Sequence, residues 1–256
     1  MLKKKEKPLK LNARSKALLY LGILFIVSFF FNFASADPNG PDGVNVTANE
    51  TRGAVSPYTL NTSGGYITTI NITPSTQNPR WMAFVGHVIG AFPLDDSTGS
   101  TIYDWSVATT GGEVYATRNS STITWSNIKC TNKTLLETEN TLMSHTSSND
   151  NITKTFNGTT HDEFFVGVVN ISLNSCINAT LNTYINNVSQ DTDFIEVALT
   201  DSTNFTAGGK IIYTAILENN VVGFDGVVYD FQMIVPEIGT QGFTGSTAYY
   251  LYVELS

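Results

Sequence analysis

The sequence predicts a mostly β protein, an antiparallel β-sandwich of immunoglobulin-like or jelly-roll-like topology, behind an N-terminal signal or anchor helix. Three observations predict it. Short runs alternate apolar and polar residues with period two and are rich in β-branched and aromatic side chains. Turn signals separate the runs, at Gly99, Gly111-Gly112, Asn157-Gly158, Gly208-Gly209, Asn219-Asn220 and Asp225-Gly226. Only one stretch, Asn132 to His145, has helical spacing, with Leu135, Leu136, Leu142 and Met143 on its apolar side. Many short strands and little helix are stable chiefly as packed sheets. The cysteine–tryptophan spacing of an antibody-type domain is absent.

The leader comes first. Lys3, Lys4, Lys5, Lys7, Lys10, Arg14 and Lys16 stand against Glu6 alone, and the run Ala17–Phe33 that follows is interrupted only by Ser28 and Asn32. Ala34-Ser35-Ala36 then offers a small-x-small site. A basic region, an apolar core and a small-residue site define a secretory signal. Residues 1–36 are therefore expected to be cleaved after Ala36, or retained as an N-terminal membrane anchor with the positive end inside. Residues 37–56, rich in Asn, Gly and Pro, read as a lead-in, and residues 57–256 as the sandwich.

Along the body, Ile70 and Ile72 share a face of a strand expected over Gly65–Thr73. Ile195, Val197 and Leu199 face inward on another, with Glu196 opposite. Val227, Tyr229, Phe231, Met233 and Val235 form a third inward set, opposed by Asp230 and Gln232. The chain closes on Tyr249, Leu251, Val253 and Leu255, with Glu254 opposite. Ser144–Thr160 reads as a long surface loop.

Twelve N-x-[ST] sequons follow the leader, at Asn45, Asn49, Asn61, Asn71, Asn119, Asn132, Asn151, Asn157, Asn170, Asn178, Asn187 and Asn204. Such a site is usable only on an exposed asparagine outside the cytosol. Export, glycosylation and a cell-surface or extracellular location are the joint expectation. Over Asn170–Asn182 the parity places Ile171, Leu173, Ile177, Ala179 and Leu181 on one face. Asn170, Cys176 and Asn178 fall on the other, so both acceptors are expected to meet solvent.

The whole chain carries 14 basic and 22 acidic residues. Subtracting the leader's seven basic and one acidic residues leaves 7 and 21, a net charge of −14 for the remainder. That field disfavours nucleic acid and anionic lipid as partners. Contact with a membrane is expected only through an uncleaved leader. Cys130 and Cys176 are the two cysteines, an even count that in an exported chain favours one disulfide. Both share the parity of polar neighbours, which puts that disulfide on the outside of a sheet unless a bulge intervenes.

The chain contains no zincin motif, nucleophile elbow, P-loop or dinucleotide fingerprint, and no catalytic residues are assigned. A small secreted hydrolase needs only two placed carboxylates and stays open as an alternative. Asp95, Asp96 and Asp104 are the candidate ligands for Ca2+, which takes six to eight oxygens. Against this stands an ordinary Asp-rich turn capping its own backbone. His161-Asp162-Glu163 reads as a solvated strand entry.

No sequon begins between residues 72 and 118 or after 204, and these stretches hold Trp81, Tyr103, Trp105, Tyr115, Tyr213, Tyr229, Tyr249, Tyr250 and Tyr252. A glycan obstructs close contact, so the sequon-poor regions are expected to supply an association face, with Tyr250 and Tyr252 of the last strand as anchors. The partner is expected to be a second copy or another envelope protein, reached by sheet edges or an aromatic face. A calcium-using carbohydrate or cell-contact adhesin is the alternative. Trp81–Gly90, Leu94-Asp95-Asp96, Tyr103-Asp104-Trp105 and Gly112–Ala116 together resemble exported archaeal cell-surface proteins of unassigned function. The resemblance implies surface localisation and no catalytic residues.

Overall fold

A strand can be apolar on alternate residues or on all of them, and the difference decides where it lies in a sheet. Phe194–Asp201 and Ile211–Ile216 are of the second kind. Both sides of these strands are buried, and they form the centre of the molecule. The computed structural model describes residues 37–74, 77–106, 111–146, 149–181, 184–185, 188–189, 194–201 and 210–256. The leader expectation and the sequons Asn187 and Asn204 lie outside these residues. No described helix is long and apolar enough to cross a membrane.

In chain order the strands are β1 (Trp81–Gly86), β2 (Ala91–Asp95), β3 (Thr101–Ser106), β4 (Gly112–Thr117) and β5 (Ile128–Cys130). Helices α1 (Lys133–Leu142) and α2 (Ile152–Thr155) follow. Then come β6 (Phe164–Val166), β7 (Val169–Ile171), β8 (Asn178–Leu181), β9 (Tyr184–Ile185), β10 (Val188–Ser189), β11 (Phe194–Asp201) and β12 (Ile211–Ile216). The last four are β13 (Val221–Val222), β14 (Val228–Tyr229), β15 (Phe231–Pro236) and β16 (Tyr250–Leu255).

The main sheet runs β16-β4-β12-β11, with β5 and β8 sharing the far edge of β11. Every described strand pair is antiparallel. One face of the sheet presents Val114, Ala116, Ala198, Ile211, Tyr213 and Ala215. They meet Leu135, Leu136 and Met143 from the α1 region, Ile152 and Phe156 from the α2 region, and Met233 and Val235 of β15. The small side chains Ala116, Ala198 and Ala215 leave room for the rings of Tyr213 and Phe156, whose centroids lie 5.5 Å apart. The other face presents Tyr115, Val197, Leu199 and Ile212 to Ile123, Trp125, Phe164, Val166 and Ile171. The mostly β, antiparallel character agrees with the sequence reading, but the central strands are not half-buried.

Two local expectations hold in detail. Asn132 caps α1, its side chain accepting from the Leu135 N–H at 2.9 Å, which satisfies one orphan donor of the first turn. Leu135, Leu136 and Met143 are buried as read, whereas Leu142 is exposed. The disulfide Cys130–Cys176 is present, with Cα atoms 4.9 Å apart. Its place is determined at Ala198, whose N–H donates to the Ile177 carbonyl (2.9 Å) while its carbonyl accepts from the Thr131 N–H (3.0 Å). Two chain segments divide one edge of β11 there, and the disulfide ties them together.

Several expectations are corrected. Cys176 is fully buried in the second core, not on an outer face. The run before Cys130 contains a 3₁₀ turn, Trp125–Asn127, which breaks the assumed parity. Asn170–Asn182 is two strands separated by a turn with Asn174 at φ 56°, so its parity also resets. Asn170 is exposed, but Asn178 is fully buried, its amide donating to the Thr160 carbonyl. Asn119 and Asn151 are buried too. Asn45, Asn49, Asn61, Asn71, Asn132 and Asn157 are exposed. The 144–160 stretch contributes Ile152 and Phe156 to the core rather than lying wholly on the surface. Val227 is exposed and Asp230 and Gln232 are buried, because the run is divided between β14 and β15. Gly65–Thr73 forms no strand. Every described residue from Asn39 through Pro74 is exposed.

Candidate functional site

The ribbon β2–β3 stands apart from the main sheet and is exposed along its described length. Its register pairs Phe92 with Trp105 and Leu94 with Tyr103. Directly opposed residues point to the same side of a ribbon, so these four side chains form one apolar face. All four are 42–59% exposed. The rings of Tyr103 and Trp105 lie 4.8 Å apart. Pro93 and Asp104 pair on the opposite face. An isolated two-stranded ribbon is marginal in water, so an apolar face on one asks for a partner.

The turn that closes the ribbon explains the aspartates. Asp96 Oδ1 accepts from the Thr98 N–H at 2.8 Å, the Thr98 hydroxyl at 2.6 Å and the Ser100 N–H at 2.9 Å. Gly99 supplies the left-handed position at φ 81°. The Thr98 hydroxyl, then the Ser100 and Thr98 amides, hold the Asp96 carboxyl below its usual range. Asp95 sits at the adjoining bulge and Asp104 on the ribbon's other strand. The described residues contain no group of three His, Cys, Asp or Glu that could hold a metal. Within this turn Asp96 Oδ1 serves as the cap of its own backbone.

The last strand is placed differently from the expectation. Tyr252 packs edge-on against Trp125 at 5.2 Å and helps cover the second core. Tyr250 is exposed at the start of β16. Their strand pairs with β4 on one side, and on the other Val253 exchanges both backbone hydrogen bonds with Asn39. Trp81 is partly buried against the first core, its indole N–H donating to the Asp150 carbonyl at 2.9 Å.

The sequence reading missed a buried acidic pair. Glu113 and Glu254 face each other across β4 and β16. The Tyr115 hydroxyl donates to Glu254 at 3.1 Å and lies 3.4 Å from Glu113. Glu254 also accepts from the Gly167 N–H. Burial first, and then the neighbouring Glu254 charge, push Glu113 up to about 8, so it holds a proton at neutral pH. Glu196 is likewise buried and raised by desolvation, and it accepts from the Ile234 N–H of β15 at 2.8 Å. The only available signal was a glutamate within a strand apolar on both flanks, which parity alone assigns to solvent. His161 is also structural, its Nε2 accepting from the Cys176 N–H at 2.9 Å. Comparison with known proteins found no matching family, curated protein or solved structure.

Proposed function

We propose that this chain is an exported, N-glycosylated interaction protein of the archaeal-type cell surface, a sandwich-like β domain that assembles with copies of itself. The observation that carries the reading is the open apolar face of Phe92, Leu94, Tyr103 and Trp105. It lies inside the long sequon-free stretch, where no glycan would obstruct a partner. Aromatic side chains in such a patch are the usual anchors of an interface, and acceptors elsewhere would keep the remaining surface solvated. Export makes the disulfide compatible with its compartment.

Sedimentation velocity on the body released from its leader tests this. Assembly should grow with protein concentration, and Trp105→Ser combined with Phe92→Ser should weaken it without altering the melting temperature. A chain that stays monomeric at high concentration and near-native salt sinks the reading. The Tyr103–Trp105 ring pair favours a second reading, a platform for the apolar face of a sugar ring. Quenching or enhancement of tryptophan fluorescence by a neutral oligosaccharide, lost in Trp105→Ala, would support it.

A further inference from the structure

We propose that Gly65–Thr73, exposed in its own copy, is donated as an added strand to the outer edge of β1 in a second copy of this chain. The inference rests on the assembly reading and adds a second contact between copies to the one made by the β2–β3 face.

The donor is a strand sequence without a strand partner. Ile67, Thr68, Thr69, Ile70, Ile72 and Thr73 are all β-branched, the class most at home on a pleated surface. Tyr66, Ile70 and Ile72 share one parity and are 81%, 55% and 77% exposed in their own copy. The loop that carries them is held at its base, where Gln77 Oε1 accepts from the Thr51 hydroxyl (2.7 Å) and the Arg52 N–H (3.0 Å). Gly65, at φ 87°, turns the chain just before the segment. Beyond the base, Arg80 pairs with Asp150 at 3.3 Å, and Asn39 is pinned to Val253. The chain is thus fastened on both sides of the segment, whose apolar residues are exposed.

The acceptor is β1. Among the described strands it pairs only with β15, so alternate residues on its other edge direct their backbone groups away from any ladder. Met82 has the parity of Phe84, which packs on the first core, yet Met82 is 41% exposed. The layer is therefore open beside β1 on its core-facing side. A strand laid there covers Met82 and completes a three-stranded layer, the least that makes a small sheet independently stable. Parity fixes the register. With Ile70 and Ile72 turned toward the core, Asn71 and its sequon point to solvent. A slip of one residue would bury Asn71 instead.

Donor and acceptor are different surfaces of one chain, so each contact is head-to-tail and builds open chains unless the rotation closes them. Strand addition of this kind draws affinity from main-chain hydrogen bonds and selectivity from alternate side chains. The last strand, β16, cannot be the donor without leaving its own sheet.

A complementation experiment tests the proposal, using the body released from its leader. One variant carries Ile70→Asp and Ile72→Asp, which disable the donor at exposed positions. The other carries Met82→Arg, which blocks the acceptor. Circular dichroism and melting temperature verify that both fold, and Ala83→Pro replaces Met82→Arg if the latter does not. Expected are long assemblies of the unaltered chain, assembly of each variant alone cut back to what the Phe92–Trp105 face supports, and regained strand-linked pairs when the two are mixed. Hydrogen exchange at Trp81–Gly86 should slow in the mixture and on adding a Gly65–Thr73 peptide to the donor variant. A donor variant that assembles like the unaltered chain overturns the strand donation and leaves the assembly reading standing. An unaltered chain that is monomeric with β1 already protected shows the loop pairing in its own copy and overturns the proposal. A monomer with β1 unprotected overturns both readings.

Discussion

Two regions of this molecule use the same apolar residue types in opposite ways. In the central sheet, β4, β11 and β12 bury both faces, and Tyr115, Tyr213, Phe194, Leu199 and Ile212 are almost wholly out of water. In the stretch before it, Tyr66, Ile67, Ile70, Ile72, Phe92, Leu94, Ile102, Tyr103 and Trp105 all remain exposed. Composition does not separate the two. Neighbours do: the central strands have a helix and ribbon layer on one face and a loop and hairpin layer on the other. The ribbon β2–β3 and the loop ahead of β1 have neither. On the proposed reading stability resides in the first region and association in the second, and substitutions should separate along that line.

The largest effect is expected in the core. Phe156→Ala removes a ring packed between Tyr213 and Trp81 and should cost about 3–5 kcal/mol in denaturant unfolding. A cost below about 1 kcal/mol would mean that the helix layer contributes little. Next comes the disulfide. Replacing Cys130 and Cys176 together with Ala should cost about 3–4 kcal/mol by loop-closure entropy. Native-state hydrogen exchange should show the loss first at β5 and β8, which share the edge of β11.

The buried acid gives a pH signature of intermediate size. Burial, and then the Glu254 charge, push Glu113 up to about 8 in the folded chain, from 4.5 for a free glutamate. Between those values the folded state holds a proton that the unfolded state has released. Stability therefore falls as pH rises from about 4.5 to about 8 and levels off above it. Glu113→Gln keeps the shape of the protonated acid without that slope. It should match the unaltered protein near pH 4.5 and exceed it by about 1–3 kcal/mol near pH 9. Equal pH profiles for the two proteins would show that the pair ionises freely.

Smaller effects belong to the ribbon. Asp96→Ala removes three hydrogen bonds from an exposed turn and should lower the melting temperature only slightly, with faster hydrogen exchange at Thr98 and Ser100. Trp105→Ala should leave stability within about 0.5 kcal/mol while weakening assembly in sedimentation. If Trp105→Ala instead unfolds the domain, the contrast between a stabilising region and an associating region fails.

Much of the secondary structure was legible because it is written in local chemistry. Asn132 ahead of a Leu-Leu pair marks a helix start, and the Asp96–Gly99 turn carries its own capping groups. The paired cysteines could be read from compartment and count alone. The misreadings share one cause. Parity assigns faces only if a strand is unbroken and has one wet side. The 3₁₀ turn at Trp125–Asn127 and the turn at Asn174 break the count, which moved Cys176 and Asn178 inside. Glu196 and Glu254 were read as solvent-facing, and Glu113 was assigned no face, because nothing local shows that a second layer covers their strands. The candidate site was legible as residues, Tyr103 and Trp105 in a sequon-free stretch. It was not legible as a face, since the pairing of Phe92 with Trp105 depends on register across a turn.

By itself, then, the sequence determined the β character, the helix position, the disulfide partners and the placement of acceptor sites along the chain. These follow from periodicity, capping chemistry, cysteine count and tripeptide motifs, all short-range. Only the tertiary structure decided which faces are dry. It placed β11 and β12 between two layers, packed Tyr252 against the second core, took Asn178 out of solvent, and left Gly65–Thr73 without a strand partner among the described residues. Burial depends on what packs against a strand from elsewhere in the chain, and no local pattern contains that information.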